Sequence, residues 1–352
     1  MDRPSSPSLP AALLLPAGAV DPEEVLCRVA TPADSQILGE LFVRTFAAHG
    51  GGARSPASWA WRFGAAPAGN ESCLALDPAS GRALGHIGGT PHATLWHGVQ
   101  RRTVECVDHM IDPGFRHGPG RVNVFARLTR YWFETFCAPQ TSFLGWGFPS
   151  RALHRVGRRF AGYHLVRSVS VAHHDDPSAL LVEPVGLDVQ RLVALDDEVD
   201  ALWQCCAAEL PASVVRDRAH LQWRYLDCPH QQYTVLAARD VGSASLRGLI
   251  VLRDGGLVPD LVTVMDLLVP LADDDARAAL LAAAAAQARA AGRAGLVAHA
   301  PTSEPHAARL SRSGFVTRSC DRILTARSWD PAVSLDEVGR QFELSFGDMD
   351  TL

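Results

Sequence analysis

The sequence contains no lysine, and all 33 of its basic residues are arginine. With 38 acidic residues, the formal net charge is −5. This balance gives no support for nucleic acid or an anionic membrane surface as a partner, because both attract proteins through an excess of positive charge. The missing lysine and the abundant alanine indicate a GC-rich genome more than a function.

Metal-binding spacings are also missing. The eight cysteines include no C-x-x-C pair, and the adjacent His173 and His174 lack a third ligand from a rigid element. We therefore expect no metal site, and reduced cysteines in a cytoplasmic protein. His92 and His97 stand in a strand-turn region and are interpreted as ordinary surface histidines.

Long apolar runs are absent as well. The leucines at 13–15 belong to a short run broken by proline, so we expect no membrane span and no signal peptide, and residues 1–24 are predicted to be a flexible tail. No Gly-x-Ser-x-Gly elbow, Walker A loop or GxGxxG motif is present. At 352 residues the chain is long enough for two domains.

The stretch at 104–136 is the centre of the sequence. An apolar segment ends at Pro113, a glycine-containing loop follows, and apolar residues then recur at helical spacing from Val122 to Phe136. Glycines let backbone N–H groups converge on one point, and the helix N-terminus and arginines add positive charge there. The pattern predicts a strand, an anion-binding loop and a helix that together bind a phosphate-bearing cofactor.

The sequence repeats itself once. A six-residue Trp-to-Pro spacing occurs at 61–67 and again at 223–229, and a thirteen-residue Pro-to-Gly spacing occurs at 149–162 and at 301–314. Where the first copy has its glycine loop, the second has 270–275, without glycine and with three acidic residues. Acidic side chains at a helix N-terminus would repel a pyrophosphate, so only the first copy is predicted to bind one.

Local patterns also predict several elements. Strands are expected at 83–88, 93–96, 104–111 and 141–148. Helices are expected at 151–160 and 275–291.

These features resemble the GNAT (GCN5-related N-acetyltransferase) superfamily. In that family a hydrophobic-x-Pro strand end, as at 111–113, precedes the acyl-CoA pyrophosphate loop, and Arg116 stands in register with the family's Arg or Gln. The Gly-Phe-Pro at 147–149 and the Ser-Gly-Phe at 313–315 add to the resemblance, which covers about residues 26–328 and is to bacterial proteins with two GNAT copies.

The resemblance implies an α/β fold of two GNAT-like domains in tandem. Each would be a mixed, mainly antiparallel twisted sheet with a splayed central strand pair and flanking helices. The expected organisation is an N-terminal GNAT domain at 25–172, a linker at 173–187, a degenerate C-terminal GNAT domain at 188–328 and a tail segment at 329–352.

The implied activity is N-acyl transfer, with acetyl-CoA or another acyl-CoA as donor and direct attack by the amine of a small molecule or peptide. The candidate cofactor-binding residues are Met110, Ile111, Arg116, His117, Gly118, Gly120, Arg121 and Val122. Candidate general bases are Glu105, Asp108 and His109, on the first splayed strand. Strict alternation puts Glu105 and His109 on one face of that strand unless a β-bulge intervenes.

The general acid is less evident. Where the family has a tyrosine, this chain has Arg158, so His154 on the same helix is the candidate and Tyr163 a more distant one. Two alternatives stay open: a non-catalytic binding or regulatory module, and a transferase that takes its acyl or aminoacyl group from a charged tRNA or acyl carrier protein. The latter predicts a basic patch at Arg151, Arg155, Arg158 and Arg159. The chain is expected to be a monomer or homodimer.

Overall fold

The structure is a computed structural model that describes residues 25–46, 54–116, 124–181, 185–256 and 258–349. The strands of the first half are β1 (Leu26–Val29), β2 (Cys73–Leu76), β3 (Ala83–Trp96), β4 (Val99–Ile111), β5 (Ser142–Gly147) and β6 (His164–His174). Those of the second half are β7 (Leu187–Leu192), β8 (Ala212–Val214), β9 (Thr234–Asp240), β10 (Leu246–Asp254), β11 (Leu261–Leu268), β12 (Gly295–His299), β13 (Val316–Ser328) and β14 (Phe342–Glu343).

The α-helices lie between some of these strands along the chain. They are α1 (Ser35–Phe46), α2 (Pro56–Gly64), α3 (Val124–Phe136), α4 (Arg151–Ala161), α5 (Glu198–Ala207), α6 (Arg218–Leu221), α7 (Asp274–Ala290), α8 (Glu304–Arg312) and α9 (Leu335–Gln341). None of the helices in the described residues is both long enough and apolar enough to cross a membrane.

Side chains at the helix ends explain where several helices begin and end. Ser150 caps α4 by accepting a hydrogen bond from the Leu153 N–H, and Gly162 ends that helix with a φ of +64°. Ser55 caps α2 in the same way, with Pro56 at its first position. These local signals fix the helices that flank the central strands.

The strands form one continuous sheet that both halves share. Its main order is β1-β2-β3-β4-β5-β13-β6-β12-β11-β10-β9-β7. The last strand of each half therefore lies in the other half: β13 pairs with β5, β6 pairs with β12, and β6 and β13 pair with each other. All three pairings are antiparallel. The predicted linker at 173–187 thus begins inside β6, which reaches His174.

The two repeats meet at a reciprocal tryptophan pair. The Trp61 Nε1–H donates to the Trp223 carbonyl at 2.7 Å, and the Trp223 Nε1–H donates to the Trp61 carbonyl at 3.0 Å. The rings stack with centroids 5.1 Å apart. The two copies of the repeated segment, at 61–67 and 223–229, therefore contact each other in a two-fold-like arrangement, through α2 and the helical turn after α6.

Each half has a core on both faces of the sheet. In the first half, Val124, Leu128 and Trp132 of α3 pack against β2, β3 and β4, and this side is called the α3 face. Residues of α1 and α2 pack against the opposite side, the α1 face. In the second half, α7 covers one side and α5 the other.

Two regions differ from the sequence expectations. β3 is one strand where two were expected at 83–88 and 93–96, because Gly88 and Gly89 allow close packing and do not form a turn: a Cβ on either would lie 2.5 Å from a backbone oxygen. The expected tail segment contains α9 and β14, β14 pairs with β8, and Phe342 and Phe346 are fully buried.

Candidate functional site

β4 and β5 run parallel and then separate. Their pairing ends at Glu105 and Trp146. Beyond that point β4 continues to Ile111 while β5 ends at Gly147, and the gap between them is called the first cleft. A Cβ on Gly147 would lie 3.0 Å from the Cys106 carbonyl oxygen, so the strands approach closely where the cleft begins. The expected splayed strand pair is present at 104–111 and 141–148.

A β-bulge interrupts β4 inside the cleft. His86 pairs with Met110 and Gly88 with Val107, so Asp108 and His109 together lie opposite Ile87. Asp108 has a φ of +47°, in the left-handed region. The extra residue reverses the alternation of side chains for the rest of the strand.

The bulge therefore separates the two candidate bases. Cys106 and Ile111 pack with the α3 cluster, and the His109 ring lies 6.3 Å from that of Phe125 on α3. Val107 and Met110 pack on the α1 face. Glu105, two residues before Val107, shares the α1 face, so Glu105 and His109 point to opposite sides of the sheet.

Glu105 lies in a buried cluster of aromatic and histidine side chains. Its Oε2 is 3.7 Å from His92 Nε2, and the two residues are each 5% exposed. The His92 ring lies 5.7 Å from the ring of Trp146 and 6.0 Å from that of His220. Among the described residues, His92 Nε2 and His220 Nε2 have no hydrogen-bond partner. The interpretation of His92 as a surface histidine was wrong, whereas His97 is exposed and pairs with Glu337.

Asp108 stabilises the bulge. Its carboxylate forms an ion pair with Arg54, whose guanidinium lies 5.4 Å from the Phe42 ring centroid. Its carbonyl oxygen is 2.8 Å from His86 Nδ1. Burial lowers the pKa of His86 to about 3. His86 is therefore neutral and donates this hydrogen bond to the strained backbone.

His109 lies on the α3 face of the first cleft. Burial lowers its pKa to about 4, so the imidazole is neutral near pH 7. Its Nε2 has no hydrogen-bond partner among the described residues. The ring is thus a neutral polar group at the cleft, and it has no contact with Glu105.

Tyr163 lies at the first cleft, on the α3 face. Its hydroxyl is 2.9 Å from Cys106 Sγ, and a Cβ on Gly145 would lie 2.7 Å from that hydroxyl. Burial is the main cause that raises the pKa of Tyr163 well above 10, so the phenol keeps its proton. Gly162 has a left-handed backbone conformation, reverses the chain after α4 and so brings Tyr163 back beneath β5. This glycine is the sequence signal that points to the position of Tyr163.

His154 lies on α4, apart from these groups. Partial burial and the nearby positive charge of Arg158 lower its pKa. The four arginines expected to form a basic patch are exposed. Three apolar side chains of the same helix, Leu153, Val156 and Phe160, are each about two-fifths exposed.

Part of the expected cofactor loop is described. Met110 is buried on the α1 face, and the Ile111 carbonyl accepts a hydrogen bond of 2.9 Å from Arg116 Nε. Arg116 also donates to the Thr45 carbonyl at 3.2 Å, and its side chain is exposed. The predicted residues His117, Gly118, Gly120, Arg121 and Val122 lie outside the described residues.

The corresponding position of the second half is occupied by acidic side chains. Asp273 caps α7 by accepting from the Ala276 N–H, and it forms two hydrogen bonds with Arg247. Asp274 pairs with Arg277 and with Arg309. An acidic side chain of this half therefore caps the N-terminus of α7.

No protein-family model and no curated protein sequence match this chain. Solved structures do match it. A GCN5-related N-acetyltransferase from Anabaena variabilis ATCC 29413 is 13% identical, with 87% of this chain and 73% of that one covered and a TM-score of 0.62. One from Kribbella flavida is 11% identical, with coverages of 87% and 71% and a TM-score of 0.59. A tandem GNAT protein from the clavulanic acid biosynthesis pathway is 14% identical, with coverages of 88% and 99% and a TM-score of 0.53.

Proposed function

We propose, for a chain that has the GNAT fold in two tandem copies, that it is an N-acyltransferase whose first cleft is the active site. Acetyl-CoA is the proposed donor, and the amine of a small molecule or peptide is the proposed acceptor. The observation that supports this best is that a possible proton donor and a possible proton acceptor lie on opposite sides of the first cleft. The fold itself agrees with the sequence expectation.

Acyl transfer to an amine needs two proton movements on different sides of the reacting carbonyl. The ammonium must lose a proton before it attacks, and the departing thiolate must gain one. Bound acyl-CoA would supply the activated acyl group as a thioester. Glu105 on the α1 face would accept the proton of the amine, and the protonated Tyr163 hydroxyl on the α3 face would donate one to the thiolate.

The surroundings of Glu105 suit an acceptor. The His92 Nε2 atom lies 3.7 Å from the carboxylate, beyond hydrogen-bonding distance. His220 and Trp223 from the second half border the same cluster. The acceptor would therefore bind where the two halves meet, with buried imidazole nitrogens available to it.

The α3 face suits the donor. Leu153, Val156 and Phe160 expose apolar surface on α4, and the Phe160 ring lies 6.4 Å from that of Phe125 on α3. Such a surface between the two helices fits the apolar part of a pantetheine arm. Arg116, exposed just beyond β4, would reach a phosphate by exchanging its two backbone carbonyl partners.

Donor binding is tested by calorimetric titration with acetyl-CoA. We expect saturable binding by the native chain and loss of it in an Arg116→Ala, Gly118→Asp double variant. Arg130→Ala removes an exposed arginine in the middle of α3 and serves as the control. Absence of binding to well-folded native protein would contradict acyl-CoA as the donor.

Catalysis is tested by the release of free thiol from acetyl-CoA with a panel of amines. Glu105→Gln is expected to lower kcat by about 10²- to 10⁴-fold, the usual contribution of a general base, without weakening acetyl-CoA binding. Glu134→Gln, on the exposed side of α3, is the control. Equal kcat in the native protein and Glu105→Gln would remove Glu105 from the mechanism.

One observation favours a second candidate donor. Arg151, Arg155, Arg158 and Arg159 are all exposed on α4, as a surface for a polyanionic carrier would require. A charged tRNA or an acyl carrier protein would then supply the acyl or aminoacyl group. Transfer from such a carrier, with no binding of acetyl-CoA, would select this candidate, and loss of that transfer in an Arg155→Ala, Arg159→Ala variant would place the carrier on α4.

A further inference from the structure

The second half contains a cavity of about 150 Å³ between β11 and β12. These strands pair as far as Val264 and Ala298 and then separate, and the gap beyond is called the second cleft. Apolar side chains from both faces of the sheet line it, including Trp203, Cys206, Met265, Leu281 and Phe346.

The second cleft is built in the same way as the first. β11 has a bulge at Met265, where Val251 pairs with Asp266 and Leu252 with Val264. Met265 follows Asp108 by 157 positions, the same offset that separates Pro270 from Pro113. The bulge is therefore a repeated feature of the fold, and here it opens a cavity in the half whose helix N-terminus is occupied by acids.

Those acids exclude a nucleotide cofactor from the second cleft. Asp273 occupies the helix cap with its own carboxylate, and Asp274 holds Arg277 and Arg309 in ion pairs. Arg277, Arg309 and Leu281 line the same cavity. A pyrophosphate would meet two carboxylates at a helix N-terminus that Asp273 already caps, whereas a small uncharged molecule would meet mainly apolar surface.

One polar side chain in the cavity lacks a partner. His299 is 8% exposed, and neither ring nitrogen has a hydrogen-bond partner among the described residues; the Ala300 backbone lies nearby but outside hydrogen-bonding geometry. Burial lowers the pKa of His299 to about 3, so the ring is neutral, with one donor and one acceptor nitrogen. An unpaired buried imidazole costs free energy, which a ligand would recover.

The other polar groups of the cavity are already paired. Asp266 accepts hydrogen bonds from Arg216 and from the Tyr225 hydroxyl. Glu343 accepts from the backbone N–H groups of Thr302 and Ser303. His299 is thus the group that a ligand would engage.

We propose that the second cleft binds a small, uncharged, largely apolar molecule with one hydrogen-bonding group that pairs with His299. A cavity of similar volume in another protein admits benzene, so the ligand would have roughly six to ten non-hydrogen atoms. The three successive antiparallel steps from β5 through β13 and β6 to β12 make β5 and β12 run in opposite directions. Each cleft lies at the carboxyl end of its parallel strand pair, so the two clefts open at opposite ends of the strands. This site is therefore independent of the proposed acyl transfer.

The test uses phenol and benzene as probes, each titrated into the full chain and followed by NMR. We expect saturable binding of both, with the imidazole signals of His299 shifted more by phenol than by benzene. His299→Leu is expected to weaken phenol binding by about three- to tenfold, the worth of one buried hydrogen bond, and to leave benzene binding nearly unchanged.

Two further variants locate the probes. Ala298→Leu fills the cavity and should abolish the binding of both phenol and benzene. This variant keeps the test decisive even if His299→Leu does not fold. His174→Leu changes another buried histidine with an unpartnered nitrogen, outside the cavity, and should change neither affinity. The proposal is overturned by the absence of saturable binding, by probe binding that survives Ala298→Leu, or by competitive displacement of phenol by acetyl-CoA.

Discussion

Tyr163 and Glu105 lie on opposite faces of the sheet beside the same cleft, although neither touches the other. Tyr163 follows the glycine that ends α4, and its hydroxyl contacts Cys106 on β4. Glu105 is the residue before Cys106, so the alternation of one strand separates the two groups. Two adjacent positions of β4 therefore place the proposed acid and base on the two faces of the sheet beside the first cleft.

Removing the phenol hydroxyl tests the role of Tyr163 as an acid. Tyr163→Phe keeps the ring against Gly145 and removes the proton donor, so we expect kcat to fall about tenfold or more while acetyl-CoA affinity is unchanged. Thiol release and calorimetry measure the two quantities. Tyr131→Phe, on α3, is the control, and an unchanged kcat in Tyr163→Phe would leave the residue with a packing role only.

His86 makes stability depend on pH. Its pKa is about 3 in the folded chain and near 6.5 when unfolded, so between these values the unfolded state binds a proton that the folded state does not. Stability is therefore fully present above about pH 6.5 and is lost as pH falls towards 3, by about 1.4 kcal/mol per pH unit.

Urea unfolding at several pH values checks this expectation. His86→Phe should reduce the slope of unfolding free energy against pH by about 1 kcal/mol per pH unit near pH 5. It should also lower the unfolding free energy by an amount that does not depend on pH, because the Asp108 carbonyl loses its hydrogen-bond donor. His97→Phe changes an exposed histidine and should leave the slope as it is. Equal slopes in the native protein and His86→Phe would contradict the neutral buried state.

At the scale of elements, the bulge in β4 determines which side chains reach which face. Asp108 has a φ of +47°, which glycine adopts without cost and alanine does not. Both Asp108→Gly and Asp108→Ala lose the ion pair with Arg54, so their difference isolates the backbone. We expect Asp108→Ala to be less stable than Asp108→Gly by about 1 kcal/mol, as measured by urea unfolding.

A control at a regular strand position makes this comparison specific. At Gln100, earlier on β4 and in regular register with Leu95, the glycine variant should be the less stable one, because a β-strand favours alanine over glycine. If Asp108→Ala were at least as stable as Asp108→Gly, the left-handed bulge would be contradicted.

Local sequence patterns were sufficient for many elements. β5, α4 and α7 lie within one residue of the bounds expected from apolar periodicity and capping residues. The bulge could not be predicted, because Asp108 breaks no composition rule and its conformation is stabilised by Arg54 and His86, which are distant in sequence. For the same reason, the burial of His92 and the placement of Tyr163 at the cleft depend on contacts that periodicity does not describe.

At the scale of the whole molecule, the repeat in the sequence predicted two copies but not how they join. The matched tryptophans were evidence of duplication, and in the structure they hydrogen-bond to each other. The exchange of β6 and β13 between halves has no local signature, because either strand has the same alternating pattern whichever edge it pairs with. A sequence boundary at 172–188 therefore divides the chain without dividing the sheet.

The exchanged strands predict that neither half folds alone. In a fragment of residues 25–181, β6 would lose both of its neighbours, β12 and β13, and β5 would lose β13. The exposed edges and the unpaired Trp61 N–H would then favour aggregation or pairing with a second copy of the fragment. We expect each of the fragments 25–181 and 185–349 to lack a cooperative unfolding transition as a monomer.

Mixing the two fragments should restore the fold, since each supplies the strand that the other lacks. Co-expression is expected to give a 1:1 complex, seen by sedimentation, whose near-ultraviolet circular dichroism matches that of the intact chain. Trp223→Ala in the second fragment removes the reciprocal tryptophan contact and should weaken assembly. A folded, monomeric 25–181 fragment would instead mean that β6 can close the first half by itself, and that the shared sheet is not needed to form the first cleft.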